Sequence, residues 1–163
     1  MLVVQKVVRA WQFNCRSVQR LNFKVTIVAP NFGLPRTHKI LKADAYASAL
    51  RMRVCAQTEY FALHFCAHKP DLLLTHEWAQ LGLVVPKKLA KHAIRRNTIK
   101  RLSREYFRQH KHQIANGLWV VRLKANINKR PLTSAQKGLW AAQIATLFAV
   151  GQQFAEQYAQ RHN

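Results

Sequence analysis

The sequence predicts an α+β fold: an α-β-β-β-α-β-α two-layer sandwich whose central sheet holds a β-α-β crossover with a strongly basic helix. Three observations predict it. Residues 87–111 hold ten Lys and Arg against one acid, Glu105, and their apolar residues Ile99, Leu102 and Tyr106 recur at i, i+3 and i+7, the period of one helical face. Short alternating runs bounded by Pro86 and by Asn116-Gly117 flank that helix as strands. An alanine-rich helical stretch precedes the series and a long apolar one follows it.

Residues 1–38 carry Lys6, Arg9, Arg16, Arg20, Lys24, Arg36 and His38 and no acid. Within them, residues 25–29 read as a short strand and residues 30–35 as a breaker. Lys6 and Arg9 interrupt any apolar core of a secretory signal. The segment is expected to be a flexible basic extension, either an RNA-binding arm or translated sequence ahead of the native start, although its composition also resembles an organelle presequence. Residues 40–51 read as a helix with Tyr46 and Leu50 at i and i+4 and alanine filling the other turns. Residues 60–66 alternate as a strand, with Phe61, Leu63 and Phe65 facing one way and Tyr60, Ala62 and His64 the other. Residues 68–77 are expected to form a loop with a hairpin partner.

Residues 80–85 form a strand that Pro86 ends, and the basic helix begins a few residues later. The turn at Asn116-Gly117 leads into a last strand, Leu118–Leu123, and a loop over residues 126–131. Thr133 or Ser134 caps a final helix that runs to about Tyr158. Its apolar part, residues 139–150, is interrupted by Gln143 and Thr146 and is too short to span a bilayer, so core packing is expected. These elements suit one domain over residues 39–159, with a tail at 160–163.

The charge sets the class of partner. There are 27 Lys and Arg and 6 Asp and Glu, a net charge of +21 that would repel itself in a folded domain lacking a polyanion. The six acids, Asp44, Glu59, Asp71, Glu77, Glu105 and Glu156, are scattered, with no D-x-D or E-x-x-E cluster. A protein nuclease with two metal ions needs several converging carboxylates, so that class is disfavoured, and no metal ligand or catalytic residue is assigned. Cys15, Cys55 and Cys66 are odd in number and form no C-x-x-C pair, which fits reduced thiols in a cytoplasmic protein. The histidines show no ligand spacing.

On the basic helix, Arg96, Asn97, Lys100, Arg101, Arg104 and Arg108 fall opposite the apolar face. Arginine meets phosphate bidentately, and the Asn97 amide both donates and accepts, so it suits a base edge or a 2′-hydroxyl. A single motif orders these residues. Residues 81–88, LGLVVPKK, followed by residues 96–105, RNTIKRLSRE, resemble the protein subunit of bacterial ribonuclease P, whose pattern is G-L-x-V-x-K-K and then R-N-R-x-K-R-x-x-R-E. The resemblance covers roughly residues 33–155. Thr98, Gln80 and Pro86 depart from it.

The resemblance implies a fold like the second domain of ribosomal protein S5. It also implies that a catalytic RNA carries the active site, hydrolysing precursor tRNA to leave the mature 5′ end, with Mg²⁺ held mainly by that RNA. The partners implied are the ribonuclease P RNA and the 5′ leader of precursor tRNA, with neither a membrane nor a small-molecule substrate. By resemblance, Lys87, Lys88, Lys91, Arg95, Arg96, Asn97, Lys100, Arg101, Arg104 and Arg108 contact RNA. Tyr46, Leu50 and His64 line a cleft for the single-stranded leader, where aromatic rings in a cationic groove would stack bases.

Two other readings compete. A non-catalytic RNA-binding protein, ribosomal or chaperone-like, explains the charge and the helix equally well but not the order of the Lys-Lys and R-N-T-x-K-R motifs. A helix-turn-helix DNA binder needs a preceding helix in close register, and here a strand precedes the basic helix.

Overall fold

The computed structural model describes residues 33–67, 78–129 and 132–162. The strand expected at 25–29 and the loop and hairpin partner expected at 68–77 lie outside these residues. A single 3₁₀ turn, Arg36–His38, leads into α1 (Ala43–Arg51), β1 (Val54–Gln57), β2 (Phe61–Cys66), β3 (Gln80–Val84), α2 (Ala93–His110), β4 (Leu118–Leu123) and α3 (Ser134–His162). The three helices and β2, β3 and β4 follow the expected order. The strand missing from the sequence reading is β1, whose four residues, VCAQ, carry no alternation signal; it pairs antiparallel with β2 from the upstream side.

The sheet order is β1-β2-β4-β3. β2 and β4 run antiparallel, with Leu63 opposite Val121 and Phe65 opposite Trp119, while β3 and β4 are parallel, with Gly82 opposite Val120. A parallel pair needs a crossover, and α2 supplies it.

The expectation of two layers is corrected: helices cover both faces of the sheet. Phe61, Leu63, Phe65, Trp119, Val121 and Leu123 pack on α2 and α3 through Ile99, Phe107, Trp140, Ile144, Leu147 and Phe148. The opposite face, with Cys66, Leu118 and Val120, packs on α1 through Ala45 and Ala49, and on Ile40 just before it. This double cover explains why Phe61 to Phe65 are all buried, His64 among them. Each large side chain so removed from water contributes roughly 1.5–3 kcal/mol of transfer free energy.

The helix faces differ in detail from those expected. In α1 the fully buried residues are Ala45 and Ala49, one position before Tyr46 and Leu50. Small side chains let the helix lie close to the sheet and leave Tyr46 half-buried and Leu50 at 36% exposure. In α2 the buried seam is Ile99, Ser103 and Phe107, with Leu102 and Tyr106 half-buried beside it. Thr133 caps α3, accepting a hydrogen bond from the Gln136 amide at 3.1 Å. α3 crosses the sheet at Gly151, where a β-carbon would lie 2.5 Å from Leu63 Cδ2. The polar interruptions in α3 tie it down: Gln143 Oε1 accepts from the Tyr60 amide at 3.2 Å. The helix continues through residues expected to be tail.

The packed unit begins at Gly33, not at residue 39. Leu34 is in the core, His38 Nδ1 lies 2.9 Å from the Ala79 carbonyl, and the Ile40 amide donates to Leu81 at 3.1 Å. Among the described residues no helix is long and apolar enough to cross a membrane.

Candidate nucleic-acid interface

The basic segment has two parts. Residues 86–91 form a turn in which the Leu89 and Ala90 amides both donate to the Pro86 carbonyl at 3.1 Å, leaving Lys87, Lys88 and Lys91 exposed. α2 then starts without a side-chain cap and without an acid in its first turn. Arg95 and Arg96 sit in that turn, where the helix dipole disfavours cations. Each guanidinium is partly engaged locally. Arg96 Nη1 donates to the Ala90 carbonyl at 2.9 Å and to that of Lys91, and Arg95 Nη1 donates to the Asn128 carbonyl.

Asn128 is the residue that sequence reasoning missed. Its Oδ1 accepts from the Lys91 amide at 2.6 Å and its Nδ2 donates to the Lys88 carbonyl at 3.0 Å. The neighbouring Ile127 amide donates to Leu89 at 2.9 Å. The loop after β4 therefore clamps the lysine turn before α2. No sequence motif announces this, because the partners lie some forty residues apart; the only signal is an Asn-x-Asn in a basic loop.

Beyond the first turn, Asn97, Arg101 and Arg104 project as exposed side chains, and Lys100 is half-buried. Arg108 is occupied by Glu105, which accepts from Nε at 3.1 Å and from Nη2 at 2.7 Å. The hydrogen bond from Arg108 holds the Glu105 carboxyl below its usual range, and Gln109 adds a second donor. Thr98, in place of a third cation, returns its hydroxyl to the Ile94 carbonyl at 2.9 Å.

Tyr46 and His64 lie between α1 and the sheet, and Leu50 does not join them. Tyr46 lies against Gly82, and its Oη accepts from the Leu83 amide at 3.2 Å, satisfying a donor on the edge strand β3. Leu50 is at the surface. His64 is 5% exposed; its Nδ1 lies 3.0 Å from the Met52 carbonyl, and its Nε2 is buried without a partner among the described residues. Burial corrects the expectation of an open stacking face at His64. Its ring underlies the end of α1 instead. Tyr46 meets the basic helix at a groove of about 240 Å³ that Lys100, Arg104 and Leu83 also line. Among the described residues no three of His, Cys, Asp and Glu come together as a metal site.

The lysine turn, the basic helix and α1 are arranged around one parallel crossover. A family model for ribonuclease P matches residues 34–146. The chain belongs to the ribonuclease P protein family. It is 36% identical over 111 residues to the ribonuclease P protein component of Burkholderia pseudomallei (strain 1106a), an alignment covering 68% of this chain and 76% of that protein. It is also 36% identical over 111 residues to the ribonuclease P protein component of Azoarcus sp. (strain BH72), covering 68% of this chain and 83% of that one. The solved ribonuclease P protein of Staphylococcus aureus superimposes with a TM-score of 0.52 at 26% identity, over 68% of this chain and 97% of that one. The matched residues hold both halves of the motif, the lysine turn and α1.

Proposed function

We propose that the chain is the protein subunit of a ribonuclease P, binding the catalytic RNA and the 5′ leader of precursor tRNA and assisting removal of that leader. The observation that carries this reading is the one-sided cationic surface formed by α2 and the Asn128-clamped lysine turn, on the fold of this family. Lys87, Lys88, Lys91, Lys100, Arg101 and Arg104 make the phosphate contacts, and Asn97 meets a base edge or a 2′-hydroxyl. Arg95, Arg96 and Arg108 act differently: they shape the surface through the carbonyls and the carboxylate they already hold, and they add field. The leader runs along α1, with the half-exposed Tyr46 ring and Leu50 meeting bases, and His64 supporting the Met52 carbonyl from beneath.

Phosphodiester hydrolysis belongs to the RNA in this reading. Mg²⁺ held by RNA phosphates supplies the charge stabilisation for the reacting phosphate. The chain's cations lower the repulsion between two large RNAs and so reduce the metal concentration needed for assembly. The complex operates in the cytoplasm.

Reconstitution tests this directly. Added to a bacterial ribonuclease P RNA at low Mg²⁺, the chain is expected to restore cleavage of precursor tRNA at the mature 5′ end. Unchanged RNA activity would leave the non-catalytic RNA-binding alternative.

A further inference from the structure

The two edges of the sheet are finished differently. At β3 the chain covers its own edge: the Ile40 amide donates to the Leu81 carbonyl, and the Leu83 amide donates to Tyr46 Oη. At the other edge, β1, no described residue pairs with the outer side of the strand. Its sequence, VCAQ, carries neither the lysine nor the proline that discourages a further strand. A register shift between Val54 and Ala56 bulges β1, which confines any added strand to a short length.

α3 flanks this open edge with an apolar ledge. It passes over β1 at Gly151, where a β-carbon would lie 3.7 Å from Cys55 Sγ. Gln143, Val150 and Phe154 share one helix face, and Gln143 Oε1 accepts from the Tyr60 amide just beyond β1. Val150 and Phe154 therefore project on the β1 side, 46% and 39% exposed. Beside Phe154, a pocket of about 130 Å³ lies between Met52, Arg53, Phe65 and Tyr158, with the Phe65 and Tyr158 rings edge to face at 6.4 Å. It has room for one apolar side chain. Arg51 and Arg53 are exposed where the strand begins, and Lys124 Nζ donates to Gln57 Oε1 at 3.2 Å where it ends. The acid at this end, Glu59, lies in the turn after β1.

We propose that the β1 edge takes up a short extended segment of a partner protein, with apolar side chains against Val150, Phe154 and the pocket, and acidic ones beside Arg51, Arg53 and Lys124. A strand added to β1 gains backbone hydrogen bonds from the edge, and its alternation puts every second side chain under α3, where the ledge is open to water. Charge selects the occupant. A second copy of this chain would bring Arg51 and Arg53 toward their own equivalents, and each copy carries +21. RNA would set its phosphates against an uncharged ledge. An acidic and apolar peptide strand satisfies both the rim and the ledge. The edge lies at the opposite end of the sheet from β3 and the lysine turn that follows it, so its occupancy is independent of the RNA-binding reading.

The test uses the full chain and a short fluorescent peptide alternating valine and glutamate, at about 0.15 M salt. N-methylation of the alternate peptide amides that would face β1 keeps every side chain and removes the donors of the added strand. It is expected to weaken binding at least about tenfold. Val150→Gln with Phe154→Gln is expected to weaken it as much, and lysine in place of glutamate in the peptide to abolish it. With the unaltered chain, bound peptide is expected to slow amide exchange within residues 52–57. Saturating ribonuclease P RNA is expected to leave the peptide in place. Equal binding of the methylated peptide, protection confined to α2, or displacement by the RNA overturns the proposal, because the peptide would then sit on the cationic surface as a polyanion. A chain that sediments as a dimer and becomes monomeric in the double variant also overturns it, by assigning the edge to a second copy.

Discussion

Asn128→Ala removes a clamp without removing a charge, and so separates the shape of the lysine turn from its field. Two side-chain hydrogen bonds are lost, from the Lys91 amide to Oδ1 and from Nδ2 to the Lys88 carbonyl. A typical intramolecular hydrogen bond contributes about 0.5–1.5 kcal/mol net, so the pair is worth at most about 3 kcal/mol. Both bonds are open to solvent, and water replaces part of each, which brings the expected loss to about 1–2 kcal/mol. The loss is local. The Ile127 amide still bonds to Leu89, and α2 keeps its seam on α3. Converted to an opening equilibrium, it is a rise of roughly 5- to 30-fold in exchange of the Lys91 amide, read by hydrogen–deuterium exchange. Lys87, Lys88 and Lys91 keep their charge but lose their fixed spacing, so affinity for ribonuclease P RNA is expected to fall about fivefold with little change in salt slope. Unchanged protection of Lys91, or a fall in slope equal to that of a lost lysine, would refute the positioning role.

Gly82→Ala places a methyl 2.6 Å from Tyr46 Cε1 and 3.0 Å from Ile40 Cδ1, so the ring swings away and its bond to the Leu83 amide breaks. Thermal unfolding is expected to show a loss of about 1–3 kcal/mol, and the Leu83 amide should exchange faster with deuterium. Arg101→Ala, at an exposed position with no core contact, is expected to weaken RNA binding by ~1–3 kcal/mol with an unchanged melting temperature. For the whole surface, about six phosphate contacts give a log–log salt slope of roughly −4 to −5, which titration against KCl checks. Glu105 has its folded pKa lowered by Arg108, so its contribution to stability is present above the ordinary glutamate range and is lost as pH falls through the folded value. Glu105→Gln is expected to remove that acid limb from the stability–pH profile and, by releasing Arg108, to tighten RNA binding; weaker binding would show that the ion pair itself is recognised.

The motif and the alternation of β2 and β4 made most of the architecture readable, because strand and helix periods are local properties. β4 coincides with its expected span, and α2 begins after Pro86 as the pattern required. The errors share a cause. In α1 the sequence drew attention to the large Tyr46 and Leu50, while the residues buried against the sheet are Ala45 and Ala49, since close approach to the sheet selects small residues. Leu102 and Tyr106 looked like the seam of α2, yet Phe107 and Ser103 occupy it, because α3 and the sheet meet the helix one position round. β1 escaped notice because four residues carry too little pattern.

Composition and motif order are enough to establish a polyanion partner, the family and the set of cations, because charge and spacing are written directly in the chain. They do not distinguish a cation that faces solvent from one already engaged. That distinction comes from packing: Arg95 and Arg96 reach back to carbonyls, Arg108 is held by Glu105, and Asn128 positions lysines some forty residues away. The same holds for His64, an apparent cleft residue that a helix on the second face of the sheet turns into buried support. Hydrogen-bond partners distant in sequence are created by folding, and only there does a list of cations divide into those left at the surface and those already engaged by carbonyls or a carboxylate.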